Sequence, residues 1–216
     1  MSQRKTDFVT GEFYHIYNRG VDKRDIFMDQ LDIDRFFQSM EEFNTINPIG
    51  SIYENRFVDK KDKSGSKASK SKLVDFIAYC LNPNHYHFIL KQVDDKGVEK
   101  FMQRIGTGFA KYFNNRQKRS GSLFQGKFKS KHINSNEYLL HLSVYVNQNN
   151  NTKLLGSKAS KLSKSSWSEY INNSTKEICN KEIILEQFKN INEYEEFSIS
   201  SLSDIIERKS KNFDFD

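Results

Sequence analysis

Little in this sequence points to a secreted or membrane-bound protein. Only two of its 216 residues are cysteine, Cys80 and Cys179, far apart and in no metal-binding or redox spacing. No disulfide framework is therefore expected, and Cys80, inside an apolar run, reads as a small buried residue. No apolar stretch approaches the roughly 20 residues needed to cross a bilayer. The opening Met1-Ser2-Gln3-Arg4-Lys5-Thr6 is polar and lacks the apolar core of a signal peptide. A cytoplasmic location is the expectation. Acidic residues are also in deficit: 28 Asp and Glu against 34 Lys and Arg leave a formal charge of +6, with a pI near 9.1. That balance favours a polyanionic partner such as nucleic acid.

Bulk, by contrast, is plentiful. Hydrophobic residues make up only 36%, but 18 Phe and 10 Tyr supply enough for one core, and the length suits one domain with an appendage. Phe13 to Asn18 has the composition of a strand and ends at the turn residues Asn18-Arg19-Gly20. His15 within it reads as an ordinary strand residue. Residues 31 to about 46 form a helix by the spacing of Leu31, Ile33, Phe36, Phe37, Met40 and Phe43, closed by Pro48 and Gly50. Ile52 to Val58 reads as a short strand. Residues 60–72, rich in Lys, Ser and Gly, cannot bury anything and are expected to form a mobile basic loop. Six of its residues recur at 156–161, too few for a repeat architecture.

Leu73 to Leu81 is a strand, turned by Asn82-Pro83-Asn84 into His85-Tyr86-His87-Phe88-Ile89-Leu90. So short a connection predicts an antiparallel hairpin. Residues 97–116 form a long amphipathic helix through Val98, Phe101, Met102, Ile105, Phe109, Tyr112 and Phe113, loosened by Gly106 and Gly108. A basic turn at 115–121 leads to a lysine-threaded strand at 122–131, and Asn134-x-x-Glu137 resembles a capping box for a helix to about Asn149. The first six elements give an α+β fold, a ferredoxin-like split βαβ antiparallel sheet with helices on one face. A tyrosine-bearing helix and a helical tail follow. In the tail, Ile183, Leu185, Phe188 and Ile191 suggest one short helix, and Leu202, Ile205 and Ile206 another.

The chemistry centres on the hairpin. In an extended strand His85 and His87 share a face, while Tyr86 and Phe88 take the other. Two adjacent imidazoles make half of a metal site. On the last helix Tyr138, Leu142, Tyr145 and Asn149 share one side. A tyrosine hydroxyl, with its ordinary pKa of about 10, becomes a nucleophile when a nearby cation favours its ionised form. Asn149 would add an amide oxygen to His85 and His87, a mixed set suited to Mg²⁺ or Mn²⁺. Tyr138, Tyr112 and Tyr86 are rival nucleophiles by residue type, and Gln148 is a rival ligand. His132 and His141 have no assigned role.

Five stretches in order resemble the single-tyrosine HUH transposases of the IS200-like superfamily, and among them the REP-associated tyrosine transposases. They are Tyr14 to Gly20, Ala78 to His87, Gly121 to Ser130, Tyr138 to Asn149, and Ser166-Trp167-Ser168-Glu169-Tyr170. The resemblance spans roughly residues 11–170; it implies a transposase domain over 1–170 and a helical extension over 171–216. It matches His85 and His87 to metal-binding histidines, Tyr145 to the nucleophile and Asn149 to the third ligand, although Asn150 stands where the family usually has proline. The implied reaction cuts and rejoins single-stranded DNA beside hairpins through a 5′-phosphotyrosine. Arg116, Lys118, Arg119, Lys127, Lys129 and Lys131 are the candidate DNA contacts, and the chain is expected to act as monomer or homodimer. A non-catalytic hairpin binder and a water-using phosphodiesterase are the alternatives.

Overall fold

The structure, a computed structural model, describes residues 7–55, 57, 71–150, 161–171, 174 and 177–210, with side chains as far as Ser203 in the last segment. The expected basic loop and the recurrence of its motif lie almost wholly outside these residues. Five strands, β1 (Phe13–Arg19), β2 (Val74–Asn82), β3 (His85–Gln92), β4 (Lys129–Ile133) and β5 (Lys164–Ser165), form one sheet in the order β4-β1-β3-β2-β5. All four pairings are antiparallel. β3 lies between β1 and β2, so the connection from β1 to β2 straddles it. The sequence did not reveal β5, which adds only two residues at the β2 edge.

The alternation of side chains divides the sheet into two unlike faces. Tyr14, Ile16, Phe76, Tyr86, Phe88 and Leu90 are buried on one, together with Phe27 and residues of α1 (Gln30–Glu42) and α3 (Gly97–Arg116). Phe36 and Phe109 meet edge-to-face with ring centroids 4.9 Å apart, and Phe36 reaches Tyr86 at 5.5 Å. Each such aromatic, fully buried, contributes about 2–3 kcal/mol of transfer free energy. α3 runs unbroken through both glycines, and Gly108 has a packing reason: a Cβ there would lie 2.6 Å from the Phe43 ring. The opposite face is covered by α4 (Asn136–Asn147) and carries the polar residues discussed below.

Several boundaries differ from expectation. α1 stops at Glu42, because Arg104 draws the following chain away by hydrogen-bonding the carbonyls of Phe43, Thr45 and Ile46. Leu31 falls off its buried stripe and is exposed. Residues 52–55 form a helical turn, α2 (Ile52–Asn55), rather than a strand, with the Ser51 hydroxyl accepting from the Glu54 amide. The strand expected over 122–131 begins only at Lys129. Gly121 and Gly126 adopt φ of 87° and 73°, which breaks the ladder there and leaves a single bridge between Gly20 and Phe124. The N-cap of α4 is Ser135, whose hydroxyl accepts from the Tyr138 amide, one residue beyond the expected capping position.

The tail contains α5 (Trp167–Tyr170), α6 (Glu182–Leu185) and α7 (Ile191–Ser210). Ile191 opens α7 instead of closing the preceding helix, and the helix expected around Leu202 is part of it. Tyr194 is wholly buried against Tyr170 and Phe188, at 5.3 and 5.2 Å, and fastens α7 to the outside of α4. No described helix is long and apolar enough to cross a membrane.

Candidate active site

The hairpin turn is held on both sides. The Gly20 amide donates to the Asn84 carbonyl at 2.8 Å, and the Ile26 and Phe27 amides donate to the Pro83 carbonyl at 2.7 and 3.0 Å. The two-residue loop sets Asn82 opposite His85, and one step further Cys80 opposite His87. Directly opposed residues share a face, so His85, His87 and Asn82 stand together, with Tyr17 of β1 across from His87. Tyr86 points into the apolar core, as expected, and its hydroxyl is excluded from this face.

Tyr145 comes down from α4 onto this face. Its ring stands edge-on to His87 at 5.6 Å and to His15 at 6.3 Å. It is only 2% exposed, as is His87. α4 ends at Asn147, so Asn149 lies in the turn beyond it rather than on the helix. The turn nevertheless buries Asn149, whose Oδ1 accepts from Asn82 Nδ2 at 2.7 Å. The same Nδ2 is 3.1 Å from His85 Nε2. Asn149 is thus joined to His85 through Asn82, and Gln148, the rival in sequence, forms the helix C-cap with its amide directed at the Val144 carbonyl. Of the rival tyrosines, Tyr138 lies under the Lys131 ammonium, 5.0 Å from its ring, and Tyr112 packs beside Phe109 on the other side of the sheet.

Both imidazoles are oriented from behind. Asn84 Oδ1 lies 2.6 Å from His85 Nδ1, which assigns the proton to Nδ1 and the lone pair to Nε2. His87 Nδ1 lies 3.0 Å from His15 Nε2, with the two rings stacked at 5.2 Å. His15 is therefore no ordinary strand residue. Burial first, and the Lys131 charge second, push its pKa down to about 3, so it is neutral at physiological pH and able to accept from His87. A histidine whose second nitrogen donates to a fixed acceptor is the arrangement seen at metal-binding imidazoles. Among the described residues no cluster of three or more His, Cys, Asp or Glu is arranged to hold a metal ion. A cation here would rely on the two histidines and amide oxygens.

Beside the imidazoles opens a cleft of about 320 Å³, lined by Tyr17, Arg19, Lys23, His85, His87 and Lys129 among others. Of the six cations singled out in the sequence, Lys129 alone lines it, its ammonium 5.5 Å from the Tyr17 ring centroid. Lys131 is on the same face. Lys127 borders a separate groove of about 450 Å³ between α3 and the 121–128 segment. Lys118 is exposed in a left-handed turn, and Arg119 bonds Asn114 Oδ1 and the Ser122 carbonyl. Arg116 is ion-paired: its guanidinium grips Asp29 and Asp32 at 2.6 Å each, so two carboxylates of the same chain balance its charge. The sequence reading missed His15, Asn82, Arg19 and Lys23. Asn82 was within reach of it, since a two-residue turn sets Asn82 opposite His85. His132 pairs with Glu12 at 2.9 Å, and His141 packs on Phe197, so neither meets Tyr145.

Comparison with known proteins points to one family. Residues 51–149 match the family model described as Transposase IS200 like, a segment that includes His85, His87 and Tyr145 and ends on Asn149. No curated protein sequence matches the chain. Among solved structures the fold is similar to that of a REP-associated tyrosine transposase bound to a REP hairpin, with a TM-score of 0.51 and 15% identity over 82% of this chain and 90% of that one. At that identity the likeness is one of fold. Residues 51–149, which hold the histidine hairpin and the tyrosine helix, are thus similar to the IS200-like transposase family.

Proposed function

We propose that this chain cuts and rejoins single-stranded DNA beside hairpins, with Tyr145 as the nucleophile and His85, His87 and Asn149 as ligands of Mg²⁺ or Mn²⁺. The observation that carries this reading is the seating of Tyr145 edge-on against His87, with Asn149 linked through Asn82 to His85. Helix, turn and hairpin, distant in sequence, supply one constellation. The match of residues 51–149 to the IS200-like transposase family and a structural neighbour bound to a REP hairpin support the choice of DNA as substrate.

The donor set fits the proposed metal. Two imidazole nitrogens and an amide oxygen form a neutral, mixed nitrogen and oxygen set, and the bonds of Asn84 and His15 to the Nδ1 atoms leave Nε2 of each ring as the ligating atom. When bound, the cation withdraws charge from a phosphate oxygen and favours the ionised tyrosine. The Tyr145 oxygen then bonds to phosphorus as the bond to the 3′ oxygen breaks, and that oxygen takes up a proton. The phosphoester is conserved in the tyrosyl link, so the reverse attack reseals a strand without an external energy source. With its ring 2% exposed, Tyr145 must shift from its seat over the imidazoles to meet the phosphodiester. Arg19, Lys23 and Lys129 line the neighbouring cleft and would hold the strand by its phosphates, with Tyr17 offering a ring for a base.

The test is a denaturing gel of protein incubated with Mn²⁺ and labelled single-stranded hairpins flanked by random sequence. A labelled protein band, abolished by EDTA and by Tyr145→Phe, is the expected result. Cleavage that persists in Tyr145→Phe would identify a water-using phosphodiesterase. Hairpin binding with no adduct in any divalent metal would identify a non-catalytic binder.

A further inference from the structure

The sequence and family reading assigns no role to Asn82, yet its side chain occupies the centre of the constellation. It is wholly buried at the end of β2. Its Nδ2 sits between two lone pairs, 2.7 Å from Asn149 Oδ1 and 3.1 Å from His85 Nε2, while its Oδ1 accepts from the Ser163 hydroxyl at 2.9 Å. A polarised NH₂ group thus stands where the two lone pairs converge. A cation held by the same two atoms could not coexist with N–H bonds directed at it, because both carry positive charge.

We propose that Asn82 is itself a metal ligand, delivering Oδ1 to the cation bound by His85 and Asn149 after its side-chain amide turns over. This rests on the metal-site reading above. Ser163 makes the exchange inexpensive, since a hydroxyl donates to Oδ1 in one orientation and accepts from Nδ2 in the other. The bond to Ser163 therefore survives the turn, and the two contacts of the NH₂ group are replaced by coordination. Without metal, the same amide keeps Asn149 and His85 in register, so the site is pre-organised rather than collapsed. The resulting ligand set is neutral throughout, which leaves the full cation charge to act on a phosphodiester.

The experiment is a titration of the full-length protein with Mn²⁺, read by electron paramagnetic resonance of the free ion, with circular dichroism to verify folding. Asn82→Asp separates the two roles of the side chain. Aspartate has the same shape, cannot donate a hydrogen bond and is a stronger oxygen ligand. Binding tighter than wild type by about tenfold or more is expected for a ligand, with Asn82→Leu and Ser163→Ala each weaker by about tenfold. Unchanged or weaker binding by Asn82→Asp, while His85→Ala abolishes it, would overturn the proposal and leave the histidine site standing. Unchanged binding in His85→Ala would instead overturn the metal-site reading beneath it. Should neither position-82 variant fold, Ser163→Ala decides: weaker binding supports the proposal and unchanged binding overturns it.

Discussion

His15 and Cys80 illustrate how burial selects what a side chain on the site face can do. His15 is buried, and with Lys131 nearby its imidazole stays neutral, which suits it to accept a hydrogen bond from His87 and to nothing that needs a positive charge. Cys80 stands opposite His87 in the ladder, close enough to tempt an assignment as a ligand. Burial instead pushes its thiol up to about 12, against the smaller opposing influence of bonds from the Asn150 backbone and Asn82. Cys179, also buried, is raised well above the ordinary value. The thiolate is the reactive form, so iodoacetamide at pH 8 should modify neither cysteine in the folded protein and both in urea, as counted by mass spectrometry. Rapid labelling of Cys80 in the native state would contradict the packing described.

At the scale of elements, α1 and α3 are joined by charge as well as by aromatic rings. Asp29 caps α1, its Oδ1 accepting from the Leu31 and Asp32 amides, and Arg116 at the end of α3 reaches back to both Asp29 and Asp32. The Arg116 hydrogen bond is the main reason that the Asp29 pKa lies below its ordinary 3.8. A carboxylate whose pKa is lowered on folding adds stability above its unfolded pKa and loses it as pH falls through the folded value. Arg116→Ala should therefore lower the urea midpoint at neutral pH, and its deficit relative to wild type should shrink below pH 3.8. A deficit that stays constant into acid would mean that Arg116 acts through packing alone. The same pairing explains why a cation in a basic turn, legible in sequence as a DNA contact, has its charge balanced within the fold.

For the molecule as a whole, the tail is part of the site's support. Tyr194 of α7 is buried beside Trp167, Tyr170 and Phe188, and its hydroxyl accepts from Asn147 Nδ2 at 3.1 Å. Asn147 in turn accepts from Ser166, which also holds the β2 backbone at Tyr79. The end of α4, between Tyr145 and the turn that carries Asn149, is thereby fixed between sheet and tail. Tyr194→Ala should cost about 3–5 kcal/mol of unfolding free energy, measured in urea, and should reduce tyrosine-adduct formation as well. Tyr194→Phe, which keeps the ring and loses the hydroxyl acceptor, should cost about 1 kcal/mol. Equal stability of Tyr194→Ala and wild type would show the tail to be dispensable to the core.

The sequence by itself determined the hairpin, its register and the long apolar stripe of α3, because these depend on local periodicity and on a two-residue turn. The pairing of His85 with His87 and the inward turn of Tyr86 were legible for the same reason. Tertiary structure alone decided which cations remain on the surface, since a guanidinium is free or balanced according to what folds against it, as Arg116 against Asp29 and Asp32 demonstrates. It also decided that His15 stands behind His87, because strands separated by some 70 residues meet only when the sheet forms. The helix ends were set by non-local partners too: Arg104 draws the chain away after α1, and the buried turn after α4 carries Asn149 to Asn82.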